Sequence, residues 1–144
     1  MSPAIQILFA LSFAVQATKQ EVPQAKMPEG VYKPATGPTT ICGITANTAR
    51  EFEVKVRMDK SLRRGAETDR YMLYQTDDSM KQWLFAKPKH AAYPLATCRH
   101  VYEADDGSLM MNRNMRCDAS RVACDAAFIE VKELDDKVRE ALGG

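Results

Sequence analysis

Four cysteines, Cys42, Cys98, Cys117 and Cys124, constrain this chain more than any other feature, because whatever joins them must be reachable within one small fold. Structural zinc sites present ligand pairs two to four residues apart on tight loops. The closest pair here, in CDASRVAC from Cys117 to Cys124, is seven residues apart, and no CxxC redox motif is present. An even number of cysteines without metal or redox spacing reads as two disulfides in an exported chain.

The first residues agree with export. Residues 4–17 carry no charge, and their apolar run from 7 to 15 is interrupted only by Ser12. That is too short to span a bilayer and matches the apolar region of a secretory signal. Val15 and Ala17 are small residues suited to cleavage before Thr18, which predicts a signal peptide over 1–17 and no stable membrane span after its removal. No Lys or Arg precedes the apolar run, so only the amino terminus supplies the positive charge usual there. Residues 18–40 hold Pro23, Pro28, Pro34 and Pro38 and few large apolar side chains, too little burial to offset ordering entropy. They read as a flexible leader. The remaining 41–144 is the length of one domain, and a composition of 45% hydrophobic and 27% charged residues supports a packed core. A formal charge of +1 removes any broad electrostatic argument for nucleic acid.

Within that domain the patterning predicts an α+β fold. Residues 51–58 alternate Phe52, Val54, Val56 and Met58 with charged residues, as a half-buried strand does. Residues 70–76 and 80–87 are β-rich runs joined by a short polar connection, and 95–105 and 108–117 flank Asp106 and Gly107, a strong hairpin signal. After Cys117 the period lengthens: Cys124, Ala127, Val131, Leu134, Val138 and Ala141 mark an amphipathic helix. The expectation is a mainly antiparallel sheet of about five strands with one C-terminal helix packed on one face. A two-residue turn at Asp106 and Gly107 sets Cys117 opposite Ala96 and makes Cys98 only its diagonal neighbour, too far to bond without distortion. The predicted bridges are therefore Cys117 with Cys124, a strand-to-helix clamp, and Cys42 with Cys98.

The same turn sets His100 opposite Arg113, a cationic pair among apolar neighbours that suits a carboxylate or phosphate. No partner acid for this pair is identifiable in the pattern. His100 and His90, with Lys87 or Lys89 nearby, carry the alternative of a secreted hydrolase, since two histidines supply an acid and a base. Met110, Met111 and Met115 with His100 carry the alternative of a periplasmic copper protein, because thioether and imidazole suit Cu(I). The parity of this hairpin places Met111 and Met115 on the face of His100. No nucleophile motif, phosphate-binding glycine loop or paired metal-binding carboxylates appear. The preferred reading is a non-catalytic binding domain, periplasmic or secreted, that uses no cofactor and engages a protein partner in the cell envelope or a small anion.

Overall fold

A single extra residue in the final hairpin decides which side chains share a face of this protein. The computed structural model describes Tyr32 and residues 34–143. Its elements are β1 (Thr39–Ile41), β2 (Ile44–Ala46), α1 (Ala49–Met58), β3 (Arg63–Arg64), β4 (Tyr71–Gln75), β5 (Lys81–Ala86), β6 (Leu95–Glu103), β7 (Leu109–Cys117) and α2 (Arg121–Ala141). Strands β3 to β7 form an antiparallel sheet in sequence order, and β1 and β2 form a separate hairpin. The fold is α+β with two disulfides, Cys42–Cys98 and Cys117–Cys124, as expected.

The loop between β6 and β7 has three residues rather than two. Ala104 N donates to Ser108 O at 2.8 Å, Gly107 N donates to Ala104 O at 2.9 Å, and Gly107 takes a φ of 84°, the left-handed position that closes such a turn. Pairing therefore slips by one residue, and because side chains alternate faces, each residue of β7 lies on the face opposite to expectation. His100 pairs with Asn112, Cys98 with Asn114, and Arg113 with Arg99.

Residues 51–58 form α1 instead of a strand. Phe52 and Val56, both fully buried, are four residues apart and share a face in either period, whereas Val54 and Met58 are 52% and 77% exposed, which only a helix permits. The local chemistry favours the helix as well. Thr48 Oγ1 accepts from Glu51 N at 3.1 Å as an N-cap, and Glu51–Lys55 and Glu53–Arg57 are i,i+4 ion pairs of favourable orientation.

The C-terminal helix packs on one face of the sheet, as expected, and a second layer covers the other face. On that other face, α1 and the β1–β2 hairpin pack over Met72, Tyr74, Trp83, Phe85, Ala96 and Cys98, with the rings of Trp83 and Phe85 stacked 5.6 Å apart. On the helix's own face, α2 packs through Cys124, Ala127 and Val131 over Tyr71, Leu84, Ala86 and Leu95. Each disulfide fastens one covering layer to the sheet, Cys42–Cys98 the hairpin and Cys117–Cys124 the helix.

The signal peptide expected over 1–17 lies outside the described residues, as does most of the expected leader. The leader's end belongs to the fold, however: Tyr32 is buried, and its hydroxyl accepts from Cys117 N (2.6 Å) and donates to Cys117 O (3.0 Å). Arg116 Nη1 donates to Gly37 O at 2.8 Å, and β1 begins at Thr39.

Candidate functional site

Under α2 the sheet carries arginines on its two neighbouring strands. Arg99 and Arg113 are cross-strand partners on this face, and α2 reaches down between them with Asp135, which is 4% exposed. Arg113 and Asp135 form a two-pronged pair, Nε to Oδ2 at 2.6 Å and Nη2 to Oδ1 at 2.7 Å. Arg113 Nη1 also donates to Thr97 Oγ1 at 3.1 Å, and that hydroxyl donates onward to Asn114 O at 2.8 Å. Both ends of the Arg113–Asp135 pair are therefore satisfied, as buried charges must be.

Arg99 is not. Its Nε is closed to solvent and has no hydrogen-bond partner among the described residues. Burial, and then the adjacent Arg113 guanidinium, pull its pKa down from the ordinary arginine range, with Asp135 opposing. The side chain faces a cavity of about 300 Å³ between sheet and helix. Tyr71, Leu73, Leu84, Leu134 and Val138 supply most of its wall, with Ala66, Thr68, Gln82 and Lys137 completing it. Two arginines and a lysine against one carboxylate leave an excess of positive charge in a mostly apolar hollow, an arrangement that favours an anion.

Arg113 thus sits in a candidate anion site, with Arg99 beside it. His100 does not reach that site. It lies on the opposite face, opposite Asn112 and Lys81, with its ring 5.5 Å from that of Tyr102 in a shallow surface depression. The cationic pair expected of His100 and Arg113 is not formed, because the one-residue slip separates them by the thickness of the sheet. By the same parity Met111 and Met115 lie on the face away from His100, and only Met110 shares its side, so the methionine and imidazole set expected for copper is divided.

The two histidines of the hydrolase alternative are not brought together either: His90 lies in the loop after β5 beside Tyr71, which pairs with Ala86, whereas His100 pairs with Lys81 at the other end of β5. His90 is enclosed, its side chain 3% exposed. Ala92 N donates to its Nδ1 at 2.9 Å, so the ring proton belongs on Nε2, which faces Tyr71 Oη at 3.0 Å. Arg70 Nη2, itself a donor, lies 3.0 Å from the same nitrogen and donates to Glu130 Oε2 at 2.9 Å. Burial first, then the Arg70 charge, depress the His90 pKa, with Glu130 pulling the other way. Burial and the hydrogen bond to Glu130 raise the Tyr71 hydroxyl well above its usual range. Burial would raise Glu130, but hydrogen bonds from Tyr71 and Arg70 prevail and lower it.

This network predicts an acid sensitivity. With its folded pKa below the unfolded value of about 6.5, His90 favours the native state fully above that pH, and its contribution is lost as pH falls through the folded pKa. Urea unfolding at pH 7.5 and 5.0 should show lower stability at 5.0, and His90→Gln should remove most of that difference. Identical wild-type stability at the two values would count against the assignment.

Arg99 and Asp135 are the residues of this candidate site that the patterning did not single out, and an acid partner for Arg113 does exist. The available signal was Asp135 itself, four residues after Val131 and so on the buried stripe of α2, where a carboxylate needs a cation facing it. Leu134, placed on that stripe by the sequence pattern, is 40% exposed. Among the described residues no helix is long and apolar enough to cross a membrane, and no group of three or more His, Cys, Asp or Glu is arranged to hold a metal ion. No protein-family model, curated protein or solved structure matches the chain, so its function is read from this geometry.

Proposed function

We propose that the chain is an exported, non-catalytic binding domain, a single α+β unit behind a cleaved signal and a leader, which holds a small organic anion between the sheet and α2. Arg99 is the anchor. The observation that carries this reading is the buried Arg99 Nε without a partner at the wall of a cavity of about 300 Å³. Leaving such a donor unsatisfied costs about 1–3 kcal/mol, more for a charged group, and a carboxylate or phosphate oxygen recovers that cost on binding once a small turn of the Arg99 side chain brings its guanidinium into the cavity that it lines. The two disulfides support export, since such bonds persist in oxidising compartments.

Thermal unfolding in a panel of small carboxylates and phosphates tests the reading. A ligand at a hundred times its Kd should add about 2.7 kcal/mol to wild-type stability. Arg99→Gln should abolish that response, yet without ligand it should be at least as stable as wild type, because the substitution removes a half-buried guanidinium that faces the like charge of Arg113 and whose Nε has no partner among the described residues. Absence of any response in wild type, or an equal response in the variant, would refute the proposal.

A further inference from the structure

The shape and charge of the same cavity point to a narrower class of ligand, and we propose that it is a monocarboxylate with an apolar body of about eight to ten carbon atoms. This inference rests on the reading that Arg99 holds an anion. Charge sets the head group: Asp135 already neutralises Arg113 through two short bonds, and Lys137 is solvent-exposed, so one half-buried cation, Arg99, is left to be matched. A single carboxylate matches it and fits the planar guanidinium fork, whereas a dianion would bring a second charge among leucines at a desolvation cost.

The wall sets the body of the ligand. Leu73, Leu84, Leu134, Val138 and the ring of Tyr71 offer it no hydrogen bond apart from the tyrosine hydroxyl, and that hydroxyl is already engaged by His90. Along that apolar part of the wall a ligand rich in hydroxyls or amides would lose its water without replacement, polar side chains other than the arginines and Tyr71 being confined to Thr68, Gln82 and the exposed Lys137. Volume sets the length: at roughly 30 Å³ for a water-sized group, a cavity of about 300 Å³ holds on the order of ten such groups.

Isothermal titration with a series of straight-chain carboxylates tests this on the intact protein, with octan-1-ol as the uncharged control and acetate and inorganic phosphate as anions without a body. Affinity should rise about fourfold per methylene from hexanoate to decanoate and then level at dodecanoate as the cavity fills. Arg99→Gln should weaken octanoate about ten- to hundredfold and leave octan-1-ol unchanged. Leu134→Trp, at a position already 40% exposed and hence tolerant of a larger ring, should weaken octanoate and octan-1-ol together. If acetate or phosphate binds as tightly as octanoate in an Arg99-dependent way, the anion reading stands and the apolar body is refuted. If octan-1-ol binds as tightly as octanoate and Arg99→Gln changes neither, the anion reading falls. Absence of binding by every member of the series overturns both.

Discussion

Replacing Asp135 with alanine should destabilise the protein by about 3–5 kcal/mol, the usual result of removing one partner from a buried ion pair. The side chains of Arg113 and Asp135 are 8% and 6% exposed, so water cannot take over from the lost carboxylate. Two guanidiniums on adjacent strands, Arg99 and Arg113, would then face each other without a counterion. The double substitution Arg113→Met/Asp135→Leu should recover most of the loss, since exchanging a whole buried pair for apolar groups of similar volume is commonly neutral or stabilising by about 1–4 kcal/mol. Urea unfolding of the single and double variants measures this as a change in midpoint with an unchanged slope. A cost below about 1 kcal/mol for Asp135→Ala would mean that the pair does not hold α2 to the sheet.

Removing the Cys42–Cys98 bridge should have an effect of comparable size. It closes a loop of 56 residues, for which chain entropy gives about 4 kcal/mol, against about 2.5 kcal/mol for the seven-residue separation of Cys117 and Cys124. For a domain of ordinary stability, about 5–15 kcal/mol, that is a large share. Cys42 also has a second role. With Gly43 it forms the two-residue loop between β1 and β2, and both residues have positive φ, 46° and 82°, a turn in which Asn-Gly is the preferred pair. Cys42→Asn/Cys98→Ala should therefore be about 1 kcal/mol more stable than Cys42→Ala/Cys98→Ala, since Asn tolerates the left-handed region and Ala does not. A loss under about 1 kcal/mol in both double variants would show that the hairpin stays on the sheet without its covalent tie. Protein recovered from the cell envelope or the medium should contain no free thiol and have an intact mass that begins near Thr18. Free thiols there would count against the bridges, and retention of residues 1–17 against cleavage of a signal.

Several features were legible because they depend on neighbours along the chain. The apolar stripe from Cys124 to Val131 predicts α2 and the side on which it packs. The bridges could be assigned because Cys124 leaves the last strand on the helix's buried side, close to Cys117. That pairing survives the register error, since the observed register moves Cys98 and Cys117 to opposite faces and separates them further. The helix α1 was legible in a different signal from the one used: Thr48 and Glu51 spell an N-cap, while alternation over eight residues cannot separate the two periods when the buried pair is four apart.

The candidate site was another matter. A DG pair is compatible with loops of two or three residues, and the choice between them moves every side chain of β7 through the sheet. The loop length is settled by Asp106, whose carboxylate accepts from Ser108 N at 2.9 Å and from Ser108 Oγ at 2.6 Å, and by the packing of α2 against the chosen face.

The amino-acid sequence by itself therefore determined the element types from β4 to α2, the antiparallel order of those strands and the cysteine pairing, because each follows from periodicity, turn chemistry and short-range reach. Only the tertiary structure decided that His100 and Arg113 part company, that Asp135 meets Arg113, and that Arg99 is left facing an apolar cavity without a partner. The physical reason is that alternation tells which residues of a strand share a face, whereas which faces meet depends on one residue of register and on a helix docked 22 residues away in sequence from the arginine it binds.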